Sequence, residues 1–417
     1  MDPTTALPRP ASAKVLSARN ATYLAFIGSG FGFASWAARI PQLRDALQAS
    51  PSTLGLVLLA VAVGSLIALP LAGIVVTHLG TARTVALMAV CVAAGLTVVA
   101  LGYQAGILPV VVGLFLIGFG NGTWDVAMNV EGAAVEQRLG QAIMPRFHAG
   151  FSVGTVAGAL GGAAMVALGV SVTAHLLGVA LLVGIGVPMG TRRFLPVDRP
   201  AGSTDGEPVE RARNPLAAWK EPRTLLIGVF VLCMAFTEGT GNDWLAVAVL
   251  DGYGTSPVVG PLIFAAFLAA MTLGRWFGPE LIDRFGRVVT VRTSALVALV
   301  GLLLVVFGGW LPFAALGAVL WGLGTALGFP VGMSAAADDP RHSAARVSVV
   351  ASIGYTAFLA GPPLIGFLGD HIGVLRALTV TAALLGLAAL IAGTTKPLLP
   401  DDSAPGPARA DSDRLAP

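Results

Sequence analysis

Long stretches without any charged residue alternate with short polar segments along most of the chain. Residues 84–124 carry no charge, and residues 293–337 are equally free of Asp, Glu, Lys and Arg. A helix that crosses the hydrocarbon core needs roughly 20 apolar residues, so each of these stretches is long enough for two helices divided by a turn. The whole pattern predicts twelve membrane-spanning helices: residues 21–38, 46–77, two within 84–124, two within 149–191, 224–250, 258–277, two within 293–337, 347–369 and 377–395.

One longer hydrophilic segment divides these spans into two groups of six. Residues 192–222 are rich in Arg, Pro, Asp, Glu and Ser, which predicts a linker that is partly disordered. The expected organisation is a cytoplasmic tail, a six-helix bundle, this linker, a second six-helix bundle and a disordered tail, at residues 1–18, 19–191, 192–222, 223–395 and 396–417.

The composition indicates a protein that lives in lipid. Hydrophobic residues make up 55% of the chain and charged residues 11%, against about 25% charged residues in a typical soluble domain. The net charge of +3 does not indicate a nucleic-acid partner, because the basic residues stand singly or in pairs within loops. With both termini in the cytoplasm, every Lys and Arg except Arg39, Arg44 and Arg376 falls on the inner side, as the positive-inside rule requires.

The two groups of spans resemble each other at an offset near 206 residues. Trp36 ends the first span and Trp244 the seventh, and Ser-Pro precedes both the second and the eighth. Glycines repeat with the same offset: Gly113, Gly118 and Gly120 match Gly317, Gly322 and Gly324. Two parallel repeats joined by a linker form the transporter plan in which substrate binds near mid-bilayer between the halves.

The connection after the eighth span carries the most specific local motif. Residues 279–287 read Pro-Glu-Leu-Ile-Asp-Arg-Phe-Gly-Arg. We expect Asp283 to accept hydrogen bonds at a neighbouring helix N-terminus and Gly286 to permit a tight turn. Arg284 and Arg287 would hold the inner ends of helices together, in contacts that latch one conformation and release in another. The alternative is an ordinary charged turn.

These residues carry a resemblance to a known family. The motif at residues 279–287 resembles the G-x-x-x-D-R-x-G-R loop of major facilitator transporters. Residues 121–129, Asn-Gly-Thr-Trp-Asp-Val-Ala-Met-Asn, followed by Met-Pro-Arg-Phe-His at 144–148, are similar to the YbjJ-like bacterial subgroup, a distant relative of the fucose permeases. The resemblance covers residues 20–395 and implies an all-α membrane fold of two six-helix halves around a central cavity.

Polar residues recur at helical spacing inside the fourth span. Asn121, Asp125 and Asn129 lie four residues apart, which places them on one helix face, with Trp124 beside them. A carboxylate flanked by amides can bind hydroxyls or an amine and can carry a proton. The alternative is a structural polar network that ties helices together.

A second polar group lies in the seventh span. Glu238 and Asn242 are four residues apart near mid-depth and are expected to face the same cavity from the opposite half. The alternative for Glu238 is a pairing with a neighbouring helix. Trp36 and Tyr355 are candidate cavity aromatics, although Trp36 is equally suited to anchoring at the membrane interface.

Two charged pairs are candidates for gates. Asp243 lies towards the outer end of the seventh span, where it could pair with Arg39 as an external gate or simply decorate the surface. Glu131 lies nearer the cytoplasm and is expected to form an inner ion pair with Arg146 or Arg138.

The residues together predict a secondary active transporter that works by alternating access, with Asp125 or Glu238 coupling a proton. The cavity amides favour a sugar, a cyclitol or a similar polar solute. Export of a drug or secondary metabolite is the alternative, which a more apolar, aromatic-lined pocket would favour, and a non-transporting membrane sensor is a second alternative. We expect a bacterial plasma-membrane protein, monomeric and not an enzyme, with a small-molecule substrate, lipid and protons as partners and without a cofactor, metal or nucleic acid.

Overall fold

The computed structural model describes residues 12–140, 143–196, 217–339 and 342–398, and the described residues are helical throughout. The predicted tails and most of the predicted linker, at residues 1–11, 197–216 and 399–417, lie outside the described residues. The helices are α1 Ala13–Ala37, α2 Ile40–Leu47, α3 Pro51–Leu79, α4 Thr81–Gly102, α5 Ile107–Leu139, α6 Met144–Ala167, α7 Val172–Thr191, α8 Pro222–Tyr253, α9 Val259–Phe285, α10 Arg287–Phe307, α11 Leu311–Thr325, α12 Gly328–Ala336, α13 Ser343–Ile372, α14 Val374–Ala377 and α15 Thr379–Ile391.

The described residues contain twelve helical spans, in agreement with the number that the sequence pattern predicts. Within the described residues, eleven helices are long and apolar enough to cross a bilayer. The twelfth is α1, which is less apolar but has 25 residues and packs against α6 and α7. Two spans are divided, one into α11 and α12 at residues 326–327 and the last into α14 and α15.

The second span begins later than its predicted start at residue 46. Its helix α3 starts at Pro51, where Ser50 accepts a hydrogen bond from the backbone N–H of Thr53 at 3.3 Å. Ser followed by Pro is a strong helix-start signal, because the Ser side chain caps the free amides and Pro fits the first turn. The preceding residues form the separate helix α2, which the sequence analysis did not separate from the span.

The two halves repeat the same helix packing. In the first half α1 packs on α6, α3 on α5, and α4 on both α5 and α7. In the second half α8 packs on α13, α9 on α11, and α10 on both α11 and α15. The predicted internal repeat is therefore present in three dimensions.

Matched glycines allow equivalent helices in the two halves to approach closely. A methyl group added at Gly113 of α5 would lie 2.7 Å from the carbonyl oxygen of Gly95 in α4. The equivalent contact of the second half joins Gly317 to the carbonyl oxygen of Gly301, at 2.5 Å. Small residues at crossings are typical of membrane helices, which gain van der Waals contact when their backbones come close.

The two ends of the bundle are named here the terminal face and the distal face. The terminal face carries the start of α1, the start of α8 and the end of α15. The distal face carries α2 and the connections from α8 to α9 and from α13 to α14. The halves meet where α3 packs on α13 and where α6 packs on α9.

The glycine contacts predict that a Gly→Ala substitution lowers the stability of the protein at a helix crossing but not at an open position. Gly118→Ala places the methyl group against the backbone carbonyl of Val61, so α3 and α5 must separate. We expect a loss of about 1–3 kcal/mol in the free energy of unfolding, measured as a lower thermal midpoint of the purified protein in detergent. Gly178→Ala is the matched control, because nothing lies within 4 Å of that position. Equal midpoints for the two variants would contradict the close packing of α3 on α5.

Candidate functional site

A cavity of about 250 Å³ lies between the two halves. The first half contributes α1 and α3 to its walls, and the second half contributes α8 and α13. Its lining consists of Phe33, Trp36, Leu58, Val61, Ala62, Ser65, Leu66, Leu69, Gly239, Asn242, Asp243, Tyr355, Phe358 and Pro362.

Aromatic side chains from both halves form two of the cavity walls. Phe33 and Trp36 stand three residues apart on α1, which puts them on one helix face. Tyr355 and Phe358 have the same spacing on α13, and their ring centroids lie 6.2 Å apart. With the aliphatic residues of α3, these rings make the lining predominantly apolar.

The polar groups of the cavity are few and come mainly from α8. The side-chain oxygen of Asn242 is buried and has no hydrogen-bond partner among the described residues. Its neighbour Asp243 also lines the cavity, and no hydrogen bond or ion pair joins its carboxylate to another described residue. Across the cavity the Ser65 hydroxyl donates to the carbonyl oxygen of Gly118 at 3.0 Å. The α8 pair is thus the part of the wall with unused hydrogen-bonding capacity.

A polar cleft runs from the terminal face towards the cavity. Asp125 is solvent-exposed near the middle of α5 and accepts a hydrogen bond from Asn129 Nδ2 at 3.2 Å. Asp125 also lies within electrostatic range of Tyr355 in the other half, so it faces the space between the halves. On α13 three exposed hydroxyl residues recur at four-residue spacing: Ser348, Ser352 and Thr356. Polar side chains avoid lipid, so their exposure indicates a water-filled cleft.

The distal face is closed by contacts between the halves. Arg44 of α2 forms an ion pair with Asp251 at the end of α8. Asp370 of α13 accepts hydrogen bonds from the Ser50 hydroxyl at 3.4 Å and from the backbone N–H of Ser52 at 3.3 Å. Glycines allow α3 and α13 to touch here, because a methyl group on Gly55 would overlap the backbone of Pro362. The cleft is therefore open towards the terminal face and closed towards the distal face.

The predicted substrate residues divide into three groups. Trp36, Asn242 and Tyr355 line the cavity, whereas Asp125 and Asn129 line the cleft that leads to it. The third group, Asn121, Trp124 and Glu238, does not line the cavity. On α5, the side-chain oxygen of Asn121 is buried without a described partner, and Trp124 is fully buried beside Gly28 of α1.

Glu238 forms the neighbouring-helix pairing that was the alternative to a cavity role. Its carboxylate accepts from Arg275 Nη2 of α9 at 2.8 Å. Arg275 also donates through Nε to the carbonyl oxygen of Ala326, at 3.4 Å, at the break between α11 and α12. The ion pair satisfies Glu238 within the second half, so Glu238 does not offer a free carboxylate to a solute.

The predicted outer gate between Arg39 and Asp243 is wrong. Arg39 is buried and turns towards α7, where its Nε donates to His175 Nδ1 at 2.9 Å and its Nη2 donates to the carbonyl oxygen of Val170 at 2.9 Å. Asp243 faces the cavity instead. Arg44 and Asp251 form the ion pair that joins the halves at the distal face.

Of the two partners predicted for Glu131, Arg146 and Arg138, the structure does not pair Arg146 with it. Glu131 is buried and accepts from the Thr81 hydroxyl at 2.6 Å and from the backbone N–H of Leu195 at 2.7 Å. Arg146 is exposed on α6. Of the two predicted partners, Arg138 is within electrostatic range of Glu131. Glu131 therefore ties α5 to the start of α4 and the segment after α7, all within one half.

The motif after the eighth span acts within the second half. Gly286 alone connects α9 to α10 and has a φ of 80°, which favours Gly at this tight turn. Arg287 donates to Asp338 at 2.8 and 3.0 Å, and Arg223 donates to the same carboxylate at 3.0 Å. Arg284 is exposed and lies over the ring of Phe285, 5.2 Å from its centroid, while Asp283 is exposed at the terminal face.

A further ion pair fixes the start of α8 to α13 at the terminal face. Glu221 accepts from Arg346 Nε and from the Thr224 hydroxyl, each at 2.7 Å. The hydrogen bond from Arg346 lowers the pKa of Glu221 below its ordinary value, so the pair stays ionised at neutral pH.

Comparison with known proteins gives consistent matches over most of the chain. The sequence profile of the Major Facilitator Superfamily matches residues 22–348 and, in a second match, residues 239–414. An uncharacterized MFS-type transporter of Yersinia pestis is 30% identical over 356 residues, which is 85% of this chain and 90% of that protein. The uncharacterized transporter y4wD of Sinorhizobium fredii is 31% identical over 374 residues, which is 89% of this chain and 96% of that protein. Membrane protein MosC of Rhizobium meliloti is 26% identical over 354 residues, covering 85% of this chain and 84% of that protein.

Solved structures share the fold at low sequence identity. The nucleoside transporter NupG matches with a TM-score of 0.69 and 16% identity, covering 92% of this chain and 98% of that chain. The E. coli fucose:proton symporter FucP matches with a TM-score of 0.59 and 15% identity, covering 93% of this chain and 100% of that chain. These likenesses establish the two-bundle fold and leave the solute open.

The distal contacts predict how the halves respond to loss of one charge. Arg44→Ala removes the ion pair with Asp251, so states open at the distal face become more populated. We expect a membrane-impermeant maleimide, added from the distal side, to label a Ser65→Cys reporter about two- to fivefold faster, since exposed or half-exposed pairs contribute up to about 1 kcal/mol. Arg376→Ala, an exposed distal cation, is the matched control.

The paired substitution makes this test specific to the ion pair. Arg44→Asp combined with Asp251→Arg restores opposite charges across the halves and should restore slow labelling of the reporter. If the charge-swapped protein is labelled as fast as Arg44→Ala, or if Arg376→Ala has the same effect, the ion pair does not hold the distal face closed.

Proposed function

Because the chain belongs to the Major Facilitator Superfamily, we propose that it is a secondary active transporter that moves a small amphipathic solute by alternating access. The observation that carries the proposal is the cavity between the halves, reached by a polar cleft from one face and closed at the other. Such a cavity exchanges the face to which it opens when the two halves rock about it.

The cavity lining supports an amphipathic solute. Four of its side chains are aromatic and most of the others are aliphatic, while Asn242 and Asp243 supply the strongest polar contacts. A ring system gains van der Waals and stacking contact from such walls, and one polar group of the solute would meet α8. This is the apolar, aromatic-lined pocket that the sequence analysis associated with drug or secondary-metabolite transport.

A sugar or cyclitol is the second candidate solute. It is favoured by the cleft, where Asp125, Asn129 and the exposed hydroxyl residues of α13 provide hydrogen-bonding partners for a polyhydroxylated solute. Such a solute would bind nearer the terminal face than the aromatic cavity.

Asp125 is the proposed proton-coupling acid. Its carboxylate is exposed to the cleft and receives one side-chain hydrogen bond, from Asn129, so protons can reach it from water. Glu238, the other candidate, is already engaged in an ion pair with Arg275 within the second half, whereas Asp125 faces the cleft.

We propose the same topology for this chain as the charge pattern predicts. The terminal face, which holds most of the basic residues that the structure describes, is placed in the cytoplasm of a bacterial cell, and the bundle is placed in its plasma membrane as a monomer. The motif at residues 121–129 supports a place near the YbjJ-like subgroup. A non-transporting sensor is excluded if purified protein in liposomes moves a solute across the membrane.

Transport is tested by ligand screening followed by flux measurement. Purified protein is screened by thermal shift against amphipathic amines, drugs, sugars and cyclitols, and stabilising compounds are tested for flux in proteoliposomes. The proposal predicts protein-dependent, saturable flux of at least one amphipathic compound. Flux of sugars alone would support the second candidate, and stabilisation without flux would support a sensor.

Asp125→Asn should separate transport from proton coupling. The amide keeps the hydrogen-bonding geometry of a protonated carboxyl but cannot release a proton. We expect solute-driven acidification or alkalinisation of the liposome interior, read with an internal pH dye, to fall to the level of protein-free liposomes, while solute exchange without a gradient continues.

Glu280→Gln is the matched control for this variant, because Glu280 is an exposed carboxylate near the terminal end of α9. Its proton flux should equal that of the unsubstituted protein. Proton flux that survives Asp125→Asn at all pH values would remove Asp125 from the coupling mechanism.

A further inference from the structure

We infer that the central cavity selects solutes that carry a positive charge beside a ring or other apolar group, with Asp243 as the counter-charge. The inference rests on the proposed transport function and names the solute class of the same cavity. It depends on the placement of the Asp243 carboxylate in an aromatic enclosure, whereas the sequence predicted either an outer gate or a surface position for this residue.

The carboxylate of Asp243 lacks the partners that the other carboxylates within the bundle have. Glu131 accepts two hydrogen bonds and Glu238 is paired with Arg275. Among the described residues, Asp243 has neither a hydrogen-bond donor nor a cation, although it lies in an apolar cavity. An ionised carboxylate removed from water must either take up a proton or be paired with a cation, and the aromatic lining of this cavity favours a cationic ligand as the partner.

The aromatic walls suit the same ligand. Phe33 and Trp36 approach from α1, and Tyr355 and Phe358 approach from α13, so rings stand on walls contributed by both halves. The face of an aromatic ring carries negative charge and attracts an ammonium group, most strongly for Trp and most strongly away from water. A carboxylate framed by rings therefore recognises a substituted ammonium better than it recognises a neutral hydroxyl compound.

Asn242 supplies a hydrogen-bond acceptor next to the carboxylate of Asp243. Its side-chain oxygen is buried, lines the same cavity and has no described donor. An acceptor oxygen beside a carboxylate favours the N–H groups of an amine and disfavours an anionic solute. The apolar residues of α3 complete the enclosure and leave room for the hydrophobic part of the ligand.

The test compares three probes that share a phenyl ring and differ in charge. Benzylammonium is the cation, benzyl alcohol is neutral and benzoate is the anion. Binding to full-length protein in nanodiscs is measured by isothermal titration calorimetry, and the part of the Trp fluorescence quenching that is lost in Trp36→Leu gives a second signal. We expect the cation to bind at least about tenfold tighter than benzyl alcohol, as a desolvated charge pair implies, and benzoate to bind more weakly than both.

Variants assign the selectivity to the proposed residues. Asp243→Asn should weaken binding of the cation by at least about tenfold and leave benzyl alcohol unchanged, whereas Asp243→Glu should retain part of the selectivity. Trp36→Leu should weaken the cation about threefold or more through the lost ring face. Glu280→Gln removes an exposed carboxylate elsewhere and should behave as the unsubstituted protein. Thermal midpoints confirm that each variant is folded.

The outcomes separate this inference from the proposed function. Equal affinity for the cation in Asp243→Asn and in the unsubstituted protein, or no preference of the unsubstituted protein for the cation over benzyl alcohol, overturns the inference. Saturable flux of neutral or sugar solutes in liposomes would leave transport intact in that case. Selective binding of the cation without flux of any solute would keep the inference and overturn the transport function.

Discussion

An ionised side chain inside a bilayer must face protein, water or a partner of opposite charge, and this constraint accounts for the position of each carboxylate within the bundle. Glu131 is satisfied by a hydroxyl and a backbone amide, and Glu238 is satisfied by Arg275. Asp125 faces water in the cleft between the halves. Asp243 lines the cavity between the halves and has no described partner, so among these carboxylates it is the one that a ligand would stabilise most.

The two halves share their packing and differ in their chemistry. Gly113 and Gly317 bring equivalent helices together, and an acid at the terminal end of each half, Glu131 or Asp338, ties neighbouring segments. The first half satisfies its acid with a hydroxyl and an amide, whereas the second half uses Arg side chains. The first half is thus held mainly by close packing, and the second half also by ion pairs at its terminal end.

The sequence was informative wherever a property repeats along the chain. Span number follows from charge-free length, and the repeat follows from glycines at matched positions, so the two-bundle fold was predictable. The face that carries Asp125 and Asn129 followed from their helical spacing, and their hydrogen bond confirms that spacing. Ser50 and Pro51 are a helix-start signal, and α3 does begin at Pro51, after the separate helix α2.

Pairings between distant residues were not predictable in the same way. Arg39 meets His175, and Arg44 meets Asp251, because of how helices are rotated and tilted within the bundle, which spacing along one helix does not specify. The same limit applies to Asp243 and to Phe33, Ser65 and Phe358, whose place in the cavity depends on four helices at once. The residue types of Phe33, Ser65 and Phe358 gave no signal that distinguished them from packing residues.

The central claim is that two rigid halves open alternately at the two faces around one cavity. Double electron–electron resonance measures it directly, with spin labels on cysteines introduced into a protein whose Cys91 and Cys233 are replaced. One pair, Gln104 and Trp310, spans the halves at the distal face, and another, Arg83 and Glu280, spans them at the terminal face. The account predicts that, when a transported solute or a pH change shifts the distances, the distal distance lengthens as the terminal distance shortens. Distances that stay fixed at one face, or that lengthen at both faces together, would contradict it.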